Sequence, residues 1–586
     1  MKWDLTKVFK TEADFLSAYQ ELSTYPNKAK SFEGKLSDEA SFKEFYIMQR
    51  ELEEKASELY LYAHLQSDLN KKDVEKAALV QKCMVLLHMY MQSVSFEEPE
   101  ILKLGYDKVM EMVDHNPEIE EFRFGFEKLF HQNEHILDKK QEELLSVVSP
   151  ALNPGSELYS MLSTADGNPT EIEYDGQKVF VTQGNWTSLV EYAKNEEDRK
   201  KVFEAIFKKY EQNKNTYAKI YDSILESNKA IQKARGYKSI LESHLFRNNI
   251  PTSVYETLVE VAGSQNEALK RYIKLRQKHL HLDEYHTYHR FLKLATSDKK
   301  YTYPEAKELF FKSIEKFDEE FKQHAHSALE DGYVDVYEQS GKRTGAYSSG
   351  VCNMHPFILL NYTDTLSDVF TVAHEAGHSI HSLYAGSAQP PMLQNYTIFV
   401  AEIASTFNEH NLLDYLMSSG TLSKEEQITL LQTSIDSIMA TFYRQTLFAE
   451  YELTASRLKE QDKPINHQVL SNIMIDLYQK YYGLDITKEE VKQYVWAYIP
   501  HLFGTPFYVY QYATSFAASF KLYQDVKDNV PGAFERYTNL LKAGGSKYPV
   551  DEAREAGVDF TKRETFEAVT NRLAELVDML EKLLEE

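Results

Sequence analysis

A mainly α-helical fold is what this sequence predicts, and three observations predict it. The 586-residue chain carries only 22 glycines and 16 prolines, so breaks are few for its length. Long stretches repeat apolar residues every three to four positions, the period of an amphipathic helix. Strand-like patterns are confined to two short regions, 171–182 and 331–362. The chain is too long for one small core and long enough for several lobes.

Composition narrows the class. With 42% hydrophobic and 27% charged residues the chain reads as a soluble globular protein. A formal net charge of −24 argues against nucleic acid and anionic membrane surfaces as partners. Cys83 and Cys352 are the only cysteines, too few for a disulfide framework, which points to a reducing compartment. No apolar signal core opens the chain and no run of ~18 apolar residues occurs. A cytoplasmic, unanchored protein is expected; the oligomeric state is left open.

In chain order, residues 1 to about 110 read as helices. Leu59, Leu61 and Leu65, then Val80, Met84, Leu86 and Met91, mark apolar stripes. Glu171–Thr182 reads as a hairpin turning at Asp175-Gly176. Residues 196–330 are again helical and charged. His279, His281, His286 and His289 crowd together there. Their spacing matches no ligand motif, so they read as surface histidines of a charged helix. Over 331–362, Val334–Tyr337 and Gly345–Tyr347 flank a turn and His355–Tyr362 follows, predicting a small antiparallel sheet. A free edge of such a sheet could bind an extended peptide through main-chain hydrogen bonds.

A helix then starts at Thr365, capped reciprocally with Asp368, and ends at Gly386 before Pro390-Pro391. Another begins near Thr397. Most of the rest is helical, with breaks at Pro500–Pro506 and Gly544-Gly545. The last helix, about 561–584, presents Phe566, Val569, Leu573, Leu576 and Leu580 on one stripe.

The Thr365 helix contains His374-Glu375-Ala376-Gly377-His378. Residues four apart share a helix face, so two imidazoles can hold a metal ion while Glu375 reaches a water as general base. Such a site needs a third ligand. In His-Glu-x-x-His-x-x-Gly-x-x-His peptidases it is a later His, but those later positions here are His381 and Tyr384, which excludes that class. His381 reads as a packed helix residue. Glu402 is the alternative: an acidic residue on an otherwise apolar helix face, costly to bury unless it binds something. Glu409, seven residues on, lies on nearly the same face and could orient a ligand histidine. The 500–516 region offers oxyanion donors in His501, Tyr508 and Tyr512, with Tyr508 and Tyr512 on one helix face and Tyr510 on another.

Several longer motifs carry a family resemblance: Trp3-Asp4-Leu5, Ala234–Ser239, Gly341–Tyr347, His374–His381, Ala401–Glu409, Arg444–Glu452 and Phe507–Thr514. Together they make the sequence similar, nearly end to end, to the oligoendopeptidase F branch of the thimet-oligopeptidase-like (M3) zinc peptidases. The resemblance implies a large helical two-lobed body around a deep substrate channel, with a small β-sheet beside the histidine helix. It implies an N-terminal helical lobe with a hairpin (1–195) and a catalytic domain (196–586). It implies one Zn²⁺ held by His374, His378 and Glu402, with Glu375 as base. His501 and Tyr508, and Tyr512 with them, would support the transition state, while Gly345, Ala346 and Tyr347 would bind substrate. The substrates would be short unstructured peptides cut internally. An exopeptidase of the same superfamily and a non-catalytic peptide-binding protein are the alternatives. In the family pattern Tyr often stands at Phe503, and an acidic residue is expected at His289.

Overall fold

The computed structural model describes residues 2–152 and 154–585. It is 70% helix and 4% strand, a mainly α protein. The chain forms two compact units, each built from three separate stretches. One comprises Met1–Glu134, Asp298–Gly420 and Leu522–Val558; the other comprises His135–Ser297, Thr421–Lys521 and Asp559–Glu586. This division by packing differs from the division in sequence order at 195/196. Helices distant in sequence share a core, so no single cut separates the units.

In the first unit the longest helix, Glu39–Leu69, is capped by Asp38, whose side chain accepts from the Ser41 N–H. Phe42, Phe45, Leu59, Leu61 and Leu65 from this helix enter a core that also holds Phe15 and, from the sheet, Phe357 and Leu359. In the following helix, Val74–Ser93, the buried stripe is Leu79, Cys83, Leu86 and Tyr90. Met84 and Met91, expected on that stripe, are 50% and 69% exposed. They lie about 100° per residue off the buried face, and helical period alone did not separate the two faces.

The two strand regions fold differently from each other. In the second unit, β1 (Thr170–Tyr174) and β2 (Gln177–Val181) form the expected hairpin. Asp175 and Gly176 have φ of 49° and 75°, the two left-handed residues that a tight hairpin turn demands. In the first unit, β3 (Val334–Tyr337), β4 (Tyr347–Ser349) and β5 (Phe357–Tyr362) make a sheet in the order β3-β5-β4. β4 is antiparallel to β5, but β3 is parallel to it, so the sheet is mixed rather than wholly antiparallel. The loop after β3 explains the order. The buried Lys342 ammonium donates to Asp335 Oδ1 (2.6 Å) and to the Tyr337 carbonyl (2.7 Å), folding the loop back. Asn361 Nδ2 then donates to the carbonyls of Arg343 (3.0 Å) and Gly345 (2.7 Å), holding the turn past β5. Trp3 closes the sheet from the N-terminal stretch, its indole N–H donating to the Ile358 carbonyl at 2.8 Å.

The helix Leu366–Ala388 begins at Thr365 with the expected reciprocal cap to Asp368. It runs two residues beyond Gly386, to Ala388. The next long helix, Ile398–Ser418, starts after Thr397 and packs against it. In the second unit the final helix, Arg563–Glu585, buries Phe566, Val569, Leu573, Leu576 and Leu580. Among the described residues no helix is long and apolar enough to cross a membrane.

Candidate metal centre

The two packed helices bring His374, His378 and Glu402 together in the first unit. The Nε2 atoms of His374 and His378 are 3.2 Å apart. Glu402 Oε2 lies 3.4 Å from the first and 3.5 Å from the second. Ligand atoms about 2.0–2.1 Å from a tetrahedral zinc stand about 3.3 Å apart, so this triangle fits such an ion with its fourth position open.

Two of the three ligands are held by neighbouring side chains. His374 Nδ1 hydrogen-bonds Glu409 Oε1, which leaves Nε2 as the nitrogen that faces the triangle. Burial alone would lower the His374 imidazolium, but Glu409 overrides it and holds it up at about 9. The buried Ser405 hydroxyl donates to Glu402 Oε2 at 2.9 Å. Gly377 lets the helices approach this closely: a Cβ there would stand 2.6 Å from the Ala404 carbonyl oxygen and 2.6 Å from Ser405 Cα.

Glu375 is 5% exposed, and its Oε2 has no hydrogen-bond partner among the described residues. Burial pushes its carboxyl up to about 7, offset by the His374 charge and reinforced by Glu402 and Glu409. The Ser348 backbone N–H also faces this carboxylate.

A cavity of about 550 Å³ opens over these groups, lined by His374, Glu375, His378 and Glu402 on one side and by Ala346–Val351 on another. Among the described residues β4 pairs only with β5, which leaves its other edge without a strand partner. Ala346 and Tyr347 line the cavity and Gly345 does not; its φ of 82° shapes the turn instead. The Tyr347 hydroxyl donates to the buried Asp68 at 2.7 Å. Sequence reasoning missed Ser348 and Ser405, whose short polar side chains belong to no spacing rule. Ser348 Oγ meets Ser379 Oγ at 2.8 Å, tying β4 to the histidine helix. His381 is fully buried and stacks on Tyr396 at 3.6 Å, outside the ligand triangle.

The remaining expected site residues lie in the second unit and are described there. The His501 and Tyr508 rings are near parallel with centroids 6.1 Å apart, and Tyr512 sits edge-on to Tyr508 at 5.6 Å. All three are half-buried, while Tyr510 is buried. Phe503 is buried too, stacked at 4.1 Å on Tyr159. Phe507, just before Tyr508, has a left-handed φ of 57°. Its N–H donates at 2.8 Å to the buried Glu452, whose carboxyl burial pushes up to about 8. Glu452 is a third residue that the sequence did not single out; its signal is an acidic residue in an apolar helical run.

The crowded histidines of 279–289 are not surface residues of one helix. His289 is 1% exposed, in a short 3₁₀ turn, and its Nε2 lies 2.9 and 3.0 Å from the two oxygens of Glu196. Among the described residues they form no metal-binding group.

Two histidines and a glutamate converging from consecutive helices, beside a buried His-Glu-x-x-His glutamate, define a helical metallopeptidase. The comparisons say which kind. Residues 189–571 match the model of peptidase family M3, and residues 100–167 match that of oligopeptidase F. Oligopeptidase PepF of Bacillus subtilis is 34% identical over 99% of this chain and 87% of its own length. Group B oligopeptidase PepB of Streptococcus agalactiae is 34% identical over 99% and 97%. The crystal structure of oligoendopeptidase-F from Enterococcus faecium has a TM-score of 0.75 at 28% identity, covering 98% of this chain and 99% of that one. The chain belongs to peptidase family M3, in its oligoendopeptidase F branch, and is a metalloendopeptidase; membership implies a metal cofactor.

Proposed function

We propose that the chain is a zinc-dependent endopeptidase that hydrolyses internal bonds of short, unstructured oligopeptides in the cytoplasm, with no nucleic-acid partner. The observation that carries this reading is the triangle of His374 Nε2, His378 Nε2 and Glu402 Oε2, with edges of 3.2–3.5 Å, beside the Glu375 carboxylate, whose Oε2 has no hydrogen-bond partner among the described residues. One zinc ion held there supplies Lewis acidity toward a water and a peptide carbonyl. Glu375 takes the proton of the attacking water and returns it to the leaving amine. Glu409 holds the His374 ring and Ser405 the Glu402 carboxylate, so neither ligand has to reorient.

The free edge of β4, with Ala346 and Tyr347 on the cavity wall and Gly345 shaping the approach, receives the substrate backbone as an added strand. Main-chain pairing takes peptides without regard to most side chains. His501, Tyr508 and, with them, Tyr512 keep the role the family resemblance assigns, donors to the oxyanion. All the residues given a chemical role fall within 196–586, the segment assigned to catalysis.

The test is cleavage of a quenched fluorescent nonapeptide by wild type and Glu375→Gln, with bound metal measured. The variant keeps its metal and loses activity by at least about a thousandfold. Unchanged turnover would overturn the general-base assignment. Amidating the peptide's C-terminus leaves cleavage intact; if amidation abolished it, an exopeptidase would be the better reading.

A further inference from the structure

The second unit contains a small cavity with an unusual charge balance. Its volume is about 30 Å³, and its lining includes Arg290, Arg444, Lys492, Tyr478, Tyr482 and Thr287. Such a space is small and suits a ligand of few atoms. The chain has a net charge of −24, yet three cationic side chains meet here and no carboxylate lines the cavity. Lys492 is 5% exposed, and Arg290 and Arg444 are half-buried. Among the described residues none of the three has a carboxylate within 4.0 Å.

The nearest acids are committed elsewhere. Glu489 accepts from the Thr287 N–H at 2.7 Å and the Thr287 hydroxyl at 2.6 Å. Asp436 accepts from the Tyr272 hydroxyl at 2.8 Å, and its neighbour Arg276 is fully buried and donates to backbone carbonyls. Counting Arg276, four positive charges stand against two negative ones in this region. What the three cations have instead are rings. The Lys492 ammonium lies 4.9 Å from the Phe207 centroid and 5.4 Å from that of Tyr478; Arg444 lies 4.9 Å from Phe448 and Arg290 5.1 Å from Phe291. Ring faces attract cations but do not neutralise them, and buried unpaired charge is costly. Of the three phenols lining the cavity, Tyr482 and Tyr285 are raised by burial, while at Tyr478 Lys492, Arg444 and Arg290 outweigh burial and pull it below its usual value.

We propose that this cavity binds a small monatomic anion, chloride under physiological conditions, bridging Arg290, Arg444 and Lys492. The ion is part of the folded second unit and is independent of the metal centre. The full-length protein, crystallised with sodium bromide in place of chloride, gives an anomalous peak in this cavity within hydrogen-bond distance of the three side chains. In solution, its unfolding temperature rises by roughly 2 °C in saturating chloride over sodium isethionate at equal ionic strength. Lys492→Met abolishes that chloride-specific rise, and Arg444→Gln is the second variant should the first not fold. A bromide map with peaks only on the surface, or equal unfolding temperatures of wild type in the two salts, would overturn the proposal. The three cations would then be balanced by a Tyr478 phenolate or by a neutral Lys492.

Discussion

Two of the molecule's groups of closely spaced histidines contrast: among the described residues His374 and His378 belong to a cluster that could hold a metal ion, and His286 and His289 do not. His374 and His378 are four apart on a regular helix; His286 and His289 are three apart in a 3₁₀ turn. Both groups have glutamates at hand. In the first, Glu409 occupies one nitrogen of His374 and leaves the other to face His378 and Glu402. In the second, both nitrogens of His289 are consumed: Nδ1 accepts from the His286 N–H at 2.9 Å and Nε2 is held by Glu196. A ligand site depends on lone pairs left over after the supporting bonds are made, and density of histidine is a poor guide to it.

Four experiments break or sharpen that contrast. The largest effect is expected from His378→Ala or Glu402→Ala, each of which removes one corner of the triangle. Metal content after dialysis falls to near zero and peptide cleavage drops at least about 10³-fold. Retained metal in either variant would dissolve the triangle. Next comes Glu409→Gln, which leaves the corners in place but loosens His374. Titration with a chelator shows metal affinity down by about 10–100-fold, with the fold intact by circular dichroism.

His289→Gln probes the other group. Metal content and turnover stay at wild-type levels, while urea unfolding shows a loss of ~1–3 kcal/mol from the broken charged hydrogen bond. A loss of bound metal here would erase the distinction drawn between the two groups. The smallest effect is in the acid limb. Burial would raise the Glu196 carboxyl, but bonds from His289 and Tyr288 hold it at about 2 against an ordinary 4.5. Because its folded pKa is depressed, its stabilisation is present above pH 4.5 and is lost as pH falls toward 2. His289→Gln therefore flattens the fall in stability across that window, read from unfolding midpoints at a series of acid pH values.

The difference between the groups was partly legible in the residues. The cap from Thr365 to Asp368 and the four-residue spacing of His374 and His378 are local features, and local rules read them. Glu402 was legible for a physical reason, since an acidic residue on an apolar face needs a partner. The burial of His289 was not, because Glu196 reaches it from 93 positions away. The strand order β3-β5-β4 was hidden in the same way. The hydrophobic patterns of the three strands are compatible with a hairpin, whereas the backbone pairing places β5 between β3 and β4, with the Lys342–Asp335 pair and the Asn361 bonds holding the connecting loop. Glu452 acts through a tertiary hydrogen bond, which leaves no period in the sequence, and Ser405 through a local bond to Glu402 three residues before it in the same helix.

Gly377 has a consequence beyond packing. The spacing of the histidine helix from the helix that carries Glu402 is set by the absence of one methyl group, since a Cβ at Gly377 would fall 2.6 Å from the neighbouring backbone. The two helices work as the jaws of a caliper, and Gly377 sets the gap. Widening the gap by a few tenths of an ångström would move the carboxylate away from both imidazoles together. The bite of the site would then suit a larger ion better than a small one, so the metal a relative prefers could shift with this one residue while every ligand stays the same.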